Sequence, residues 1–170
     1  MTRAALAILM AGISPAIAQK RPTIVVYDGA LQYQPAVLRP LALSGLTYKL
    51  ERQGFRVVPD THLGFLSNDE EPVGYIGHSA GGAAALAAAK KQAEAVKYRP
   101  IVSTFDAAPH WAGVWHCAVD VCLNFKTLGY PDIRGAKNIP VVSTHVGLPF
   151  DGYVQSVVLQ FTAPLASAMR

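Results

Sequence analysis

Short apolar runs rich in β-branched residues alternate along the chain with longer stretches whose apolar residues recur at helical spacing. A run of the first kind, bounded by turn residues, predicts a strand, and a stretch of the second kind predicts a helix. The predicted strands cover residues 23–29, 55–58, 73–77, 100–106, 118–125 and 139–145. The predicted helices cover residues 41–53, the segment from the residue after Ser79 to about Val96, and residues 153–169.

This alternation predicts the fold class. Strands that are apolar on both faces and alternate with helices form a parallel sheet covered on both sides. We therefore expect a three-layer α/β/α fold with a mostly parallel sheet of about five or six strands. No repeat, linker or long charge run divides residues 19–170, so a single domain is expected. In such sheets, ligands bind beyond the carboxyl ends of the strands.

Residues 1–18, MTRAALAILMAGISPAIA, stand apart from this alternation. They contain the basic residue Arg3, an apolar run over residues 4–13 and a small-x-small pattern at residues 16–18, which is typical of a secretory signal peptide. The alternative is a membrane anchor, but about ten apolar residues cannot cross a hydrocarbon core of roughly 30 Å. We expect cleavage after Ala18, export to the periplasm or the medium, and no membrane span.

Composition limits what else the chain can do. Its 170 residues are 51% hydrophobic and 15% charged, with a formal net charge of +4. That is enough for one packed domain and too little for two. The lysines and arginines are scattered in runs no longer than pairs. This pattern predicts a solvated basic surface and argues against nucleic-acid binding.

Three polar residues stand at predicted strand ends: Ser79, Asp106 and His145. Gly77 and Gly81 flank the serine in the pattern G-x-S-x-G, in which a strand turns sharply into a helix and exposes the serine hydroxyl. Side chains at the two glycine positions would collide in such a turn. The non-catalytic interpretation of this pattern is a glycine-rich turn that binds nothing, or one that binds a phosphate at the helix N-terminus.

A serine hydroxyl becomes a strong nucleophile only when a base takes its proton and a carboxylate orients that base. Asp106 follows the next predicted strand and His145 follows the last one. The chain order serine, acid, histidine is the order of an α/β-hydrolase. The three side chains are therefore expected at the same edge of the sheet.

On these residues the chain resembles a compact, minimal α/β-hydrolase of the lipase and esterase kind. The resemblance is most specific at GHSAGG, residues 77–82, while FDAAP, residues 105–109, is similar to the segment around the acid of pancreatic-type lipases. It implies that Ser79 is the nucleophile, His145 the general base and then acid, and Asp106 the orienting carboxylate. The chain departs from the family in lacking a His-Gly-Gly oxyanion loop and in having little room for a lid.

An oxyanion hole needs backbone N–H donors, and each one lost costs about 10² to 10³ in rate. The first expected donor is Ala80, the residue after the nucleophile, at a helix N-terminus. The second is expected at Gly29 or Ala30, in the turn after the first strand. Asp28 is either part of this turn's function or only a turn residue.

Other residues are weaker candidates for the site. His78 is expected to pack beneath the serine without a catalytic role, and His62 to lie in a solvated loop. His116 is the reserve base, and Asp132 is the best reserve acid. The remaining candidates are His110, Asp120 and Asp151.

The segments after the acid and after the histidine are rich in large apolar residues. Trp111 and Trp115 are four residues apart, which places both indoles on one face if the segment is helical. The two tryptophans, together with Leu148 and Phe150, are expected to line an acyl or aryl pocket, although ordinary core packing explains the tryptophans equally well. An apolar wall favours an ester or thioester with an apolar acyl group.

Cys117 and Cys122 are the only cysteines. In an exported protein such a pair is usually oxidised, so we expect a disulfide. A bridge requires a turn at residues 118–121, which conflicts with a straight strand from residue 118. A zinc site with His110 and His116 is disfavoured because the spacing is wrong, and we expect neither metal nor cofactor.

These residues and patterns leave two functions. The favoured one is an exported serine hydrolase that cleaves a small-molecule ester or thioester through an acyl-enzyme at Ser79. The alternative is a non-catalytic binding or structural protein that retains the hydrolase-like sheet. A phosphate-binding, flavodoxin-like module is less favoured because GHSAGG has few loop N–H groups and no lysine nearby.

Overall fold

The computed structural model describes residues 20–29, 41–61, 71–95, 99–109, 113 and 115–168. The predicted signal peptide, the oxyanion candidate Ala30, and Trp111, His62 and His110 lie outside these residues. The described residues form six strands: β1 (Thr23–Asp28), β2 (Arg56–Thr61), β3 (Gly74–His78), β4 (Ile101–Phe105), β5 (Cys122–Lys126) and β6 (Lys137–Pro140). The helices are α1 (Leu41–Gln53), α2 (Ala80–Ala95) and α3 (Gly152–Ala168), with a 3₁₀ turn at Leu148–Phe150.

The six strands form one sheet in the order β2-β1-β3-β4-β5-β6, and every neighbouring pair is parallel. The predicted fold class is therefore confirmed, with a sheet that is parallel throughout. The chain steps outward in one direction from β1 to β2 and in the other from β3 to β6. All the strand carboxyl ends consequently meet at one edge of the sheet.

Alternation along the central strands builds a core on each face of the sheet. Ile24 and Val26 of β1 pack in the core that contains α1 and α3, whereas Val25 and Tyr27 pack in the core that contains α2. Because side chains alternate between faces, these runs must be apolar at almost every position. Within the described residues, no helix is both long enough and apolar enough to traverse a bilayer.

The boundaries of the last two strands differ from the prediction. β5 begins at Cys122 rather than at residue 118, because residues 119–121 form a bend. β6 ends at Pro140 rather than at His145. Beyond Pro140 the chain folds back on itself, with the Ser143 N–H donating to the Val141 carbonyl at 3.1 Å. His145 therefore lies on a loop after β6.

Candidate active site

Ser79 lies at a sharp turn between β3 and α2. Its φ of 56° is in the left-handed region, which L-residues other than glycine seldom adopt. A Cβ atom on Gly77 would lie 2.1 Å from the Gly81 carbonyl oxygen, and one on Gly81 would lie 2.2 Å from the Tyr27 carbonyl oxygen. The prediction that side chains at both glycine positions would collide is thus confirmed.

Backbone hydrogen bonds hold this turn against the next strand. The Ser79 N–H donates to the carbonyl of Phe105 at 2.9 Å, and the Ser79 carbonyl accepts from the N–H of Ala108 at 3.0 Å. Gly82 lets α2 approach the same segment, since a Cβ on it would lie 2.9 Å from the Ala107 side chain. The serine and the segment that follows β4 are therefore one packed unit.

The expected oxyanion donors lie beside the serine where the structure describes them. Ala80 opens α2, where an N–H has no intrahelical acceptor. A Cβ on Gly29 would lie 3.0 Å from the Ser79 Cβ and 2.8 Å from the His78 carbonyl oxygen. The turn after β1 thus packs directly against the serine. Burial raises the pKa of Asp28, at the end of β1.

Asp106 follows β4 with a φ of 45°, a second non-glycine residue in the left-handed region. Its carboxylate is completely buried and accepts hydrogen bonds from the Thr127 N–H at 2.6 Å and the Thr127 hydroxyl at 2.8 Å. Burial by itself would raise the pKa of Asp106, but hydrogen bonds from His145 and Thr127 lower it below its ordinary value. The buried carboxylate is therefore ionised, and both of its oxygens accept hydrogen bonds.

His145 lies 3.1 Å through its Nδ1 from Oδ2 of Asp106. Since an ionised carboxylate only accepts, Nδ1 carries the proton and Nε2 is left as the basic nitrogen. The ring stacks on Tyr130 at a centroid distance of 4.7 Å and an interplanar angle of 7°. The His78 ring lies 4.5 Å away at 33°. The imidazole is oriented by its carboxylate and by both neighbouring rings.

Among the residues that the structure describes, none forms a hydrogen bond with the Ser79 hydroxyl. In substrate-free enzymes, hydrogen bonds between nucleophile and base are often long and tighten when substrate binds. Ser79 follows His78 directly in the chain, and the His78 ring contacts the His145 ring. The serine and the histidine are thus neighbours at one edge of the sheet.

The reserve acids have other partners. Asp120 pairs with Arg99 at 2.8 Å, and Asp132 pairs with Lys126 at 2.5 Å. Asp151 caps α3 by accepting a hydrogen bond from the Val154 N–H at 3.1 Å.

The reserve base, His116, is not the histidine that pairs with the acid. It forms an isolated bridge with Arg134, a backbone pairing outside the six strands. Asp106 instead pairs with His145.

Of the residues expected to wall a pocket, Leu148 does not line an open surface. It is completely buried in the core with α1 and α3, because the 3₁₀ turn directs it inward. Phe150 and Trp115 are each about half exposed, at 49% and 53%. A cleft of about 540 Å³ opens beside the loops that follow β5 and β6. It is lined by Lys126, Thr127, Leu128, Gly129, Pro140, Val141, Val142 and Ser143.

Cys117 and Cys122 are buried free thiols. A hydrogen bond between them lowers the pKa of Cys117 and raises that of Cys122. The bend at residues 119–121, which a bridge would require, is present. The two thiols are hydrogen-bonded rather than bridged in this structure, and a disulfide in the oxidised protein stays a prediction. Within the described part of the chain, no cluster of three or more histidine, cysteine or carboxylate groups could hold a metal ion.

Sequence reasoning missed Thr127 and Tyr130. Thr127 did carry a signal, since it is the polar residue directly after β5, in the same position relative to its strand as Asp106 relative to β4. Tyr130 carried none, because a single tyrosine in a loop does not indicate the ring on which it will stack. His78 was expected beneath the serine, and it is 1% exposed there.

No protein-family model matches this chain, and no curated protein sequence matches it significantly. The resemblance to α/β-hydrolases accordingly stays a prediction from the motif around Ser79 and the chain order of Ser79, Asp106 and His145.

Proposed function

We propose that the protein is a serine hydrolase that cleaves a carboxylic ester or thioester through an acyl-enzyme on Ser79. The observation that carries the proposal is the Asp106–His145 hydrogen bond, 3.1 Å long, at the sheet edge where the strained Ser79 turn lies. A buried anionic carboxylate stabilises the imidazolium that forms when the histidine takes a proton. A strained serine at a helix N-terminus beside such a pair is the arrangement that acyl transfer needs.

The chemistry follows from the positions of these groups. As the Ser79 Oγ attacks the carbonyl carbon, its proton passes to Nε2 of His145. Negative charge develops on the carbonyl oxygen and is stabilised by the N–H of Ala80 and by the turn at Gly29. The intermediate then expels the alcohol or thiol, which takes the proton from His145. Water repeats the sequence on the acyl-enzyme, with the acid as product, and restores the serine.

Exposed apolar side chains on the segments after β4, β5 and β6 support an apolar acyl group, although the lining of the cleft includes none of Ser79, Asp106 and His145. Trp115 and Phe150 expose about half of their surfaces on segments that follow the acid and the histidine. Leu128 and Val142 are fully exposed on the loops that line the cleft after β5 and β6. The signal-peptide pattern at residues 1–18 supports export, and we propose that the enzyme acts in the periplasm or outside the cell.

A fluorophosphonate probe tests this proposal, since it phosphonylates only an activated serine. We expect the protein purified from Gln19 onward to be labelled, and Ser79→Ala to remove labelling while leaving the thermal unfolding midpoint nearly unchanged. Intact mass and peptide mapping would locate the adduct on Ser79. A folded preparation without labelling would instead indicate a non-catalytic protein with a hydrolase-like fold.

A further inference from the structure

We propose that His78 is a positioning residue, which holds the loop of His145 against the serine turn by a hydrogen bond to the His145 backbone. This inference rests on the proposed hydrolase function. His78 ends β3 and directly precedes Ser79, whereas the bond it makes reaches 67 residues along the chain. It therefore links the part of the site that carries the nucleophile to the part that carries the base.

The hydrogen bond assigns the tautomer of His78. Its Nε2 lies 2.9 Å from the carbonyl oxygen of His145. A carbonyl oxygen can only accept, so Nε2 must carry a proton, and in the neutral ring Nδ1 is then the bare nitrogen. Within the described residues that Nδ1 has no hydrogen-bond partner, and it faces the Gly29 turn, 3.5 Å from where a Cβ on Gly29 would lie. The side chain therefore acts as a single, directed donor.

The other hydrogen bonds of the His145 loop do not reach the serine turn. The Val141 N–H donates to the carbonyl of Lys126, which ties the start of the loop to β5. The N–H of Gly147 donates to the Thr144 hydroxyl, and the N–H of Leu148 to the Thr144 carbonyl, so these bonds are internal. Among the described residues, His78 supplies the direct hydrogen bond from the loop backbone to the serine turn.

The contact between the two rings strengthens the same link. His78 is buried, and its ring lies 4.5 Å from the His145 ring, on which Tyr130 also stacks. Without the His78 donor, the loop backbone keeps its attachment to β5 but loses its attachment beside Ser79. A displacement of about 1 Å between reacting groups can cost roughly 10² in rate. Losing this donor should therefore lower turnover more than it lowers substrate binding.

Three variants of the purified mature protein test the proposal. His78→Leu keeps the volume and removes the donor. His78→Gln keeps an N–H group at nearly the reach of Nε2, whereas His78→Asn carries the same amide too short to reach. We expect kcat for a chromogenic short-chain ester to fall about 10- to 100-fold in His78→Leu and His78→Asn, with KM changed less than about 3-fold. His78→Gln should stay within about 5-fold of wild type.

The outcomes are distinguishable from one another. Equal kcat in folded His78→Gln and His78→Asn would overturn the proposal, as would wild-type kcat in His78→Leu. If His78→Leu fails to fold, the comparison of kcat between His78→Gln and His78→Asn still tests the positioning role.

If the wild-type protein is neither labelled nor active, the hydrolase proposal fails, and NMR of the His145 Nδ1 proton tests the positioning role instead. That resonance should persist in wild type and His78→Gln and be lost in His78→Asn; its persistence in all three would overturn the role.

Discussion

The two halves of the site are built in opposite ways. The serine turn is built from main chain, since backbone hydrogen bonds to Phe105 and Ala108 hold it and the missing side chains of Gly77 and Gly81 let the chain approach closely. The acid–base half joins Asp106, Thr127, Tyr130 and His145 from the loops after β4, β5 and β6, through hydrogen bonds to the Asp106 side chain and ring stacking. We therefore expect added atoms to destabilise the serine turn, and removed atoms to impair the acid–base half.

Removing the His145 ring should have the largest effect. We expect His145→Ala to lower kcat for ester hydrolysis at least about 10³-fold, because the serine loses its base. His116→Ala serves as the control, since the acid pairs with His145, and it should stay within about 2-fold of wild type. Steady-state hydrolysis of a chromogenic ester measures both. The reverse ranking would make His116 the base.

Adding one methyl group to the serine turn should cost stability. Gly77→Ala puts a Cβ 2.1 Å from the Gly81 carbonyl oxygen, a distance that forces the backbone to move. We expect a loss of at least about 3 kcal/mol in the free energy of unfolding. Gly152→Ala is the matched control, because no atom lies within 4 Å of its added Cβ. Urea unfolding compares the two, and equal losses would contradict the crowding argument.

His78, between the two halves, should make stability depend on pH. Burial, with a contribution from His145, lowers its pKa from 6.5 to about 4. Between these values the unfolded chain binds a proton that the folded protein does not, so the free energy of unfolding should fall as pH drops from 6.5 to 4. The full loss is about 3 kcal/mol.

Urea unfolding across that pH range measures this loss, and His78→Gln, which cannot titrate, should show a shallower slope. The lowered pKa of Asp106 places its own contribution at lower pH, below its ordinary value of 3.8. Identical slopes in the two proteins would assign the pH dependence to other groups.

Removing one hydroxyl group from the acid–base half should have the smallest effect. Thr127→Val removes the 2.8 Å hydrogen bond to Asp106 but keeps the backbone donor. We expect a loss of about 1 kcal/mol in stability and about 10-fold in kcat, since the carboxylate loses one of its donors. Thr127→Ser keeps the hydroxyl and should retain most activity. A wild-type kcat in Thr127→Val would show that the backbone N–H alone orients the acid.

The serine turn could be predicted because the residues that mark it are contiguous, whereas its backbone hydrogen bonds to Phe105 and Ala108 could not be predicted. The strand, the two glycines and the alanine-rich helix follow one another in the sequence, and steric exclusion fixes their conformation. The acid and the histidine could be named from their order and their positions after strands. The loop that carries His145 could not be predicted, because β6 ends at Pro140 through a turn between Val141 and Ser143.

The sequence by itself determined the three-layer class, the parallel sheet and the serine at a sharp turn, because apolar periodicity and the glycine pattern around Ser79 are read from contiguous residues. Only the tertiary structure decided that Thr127 holds the acid, that Tyr130 stacks on the base and that Leu148 belongs to the core. It also turned His78 from packing beneath the serine into the donor that joins both halves. Such contacts connect residues far apart in the chain, and their partners are fixed only when the sheet brings the loops to one edge.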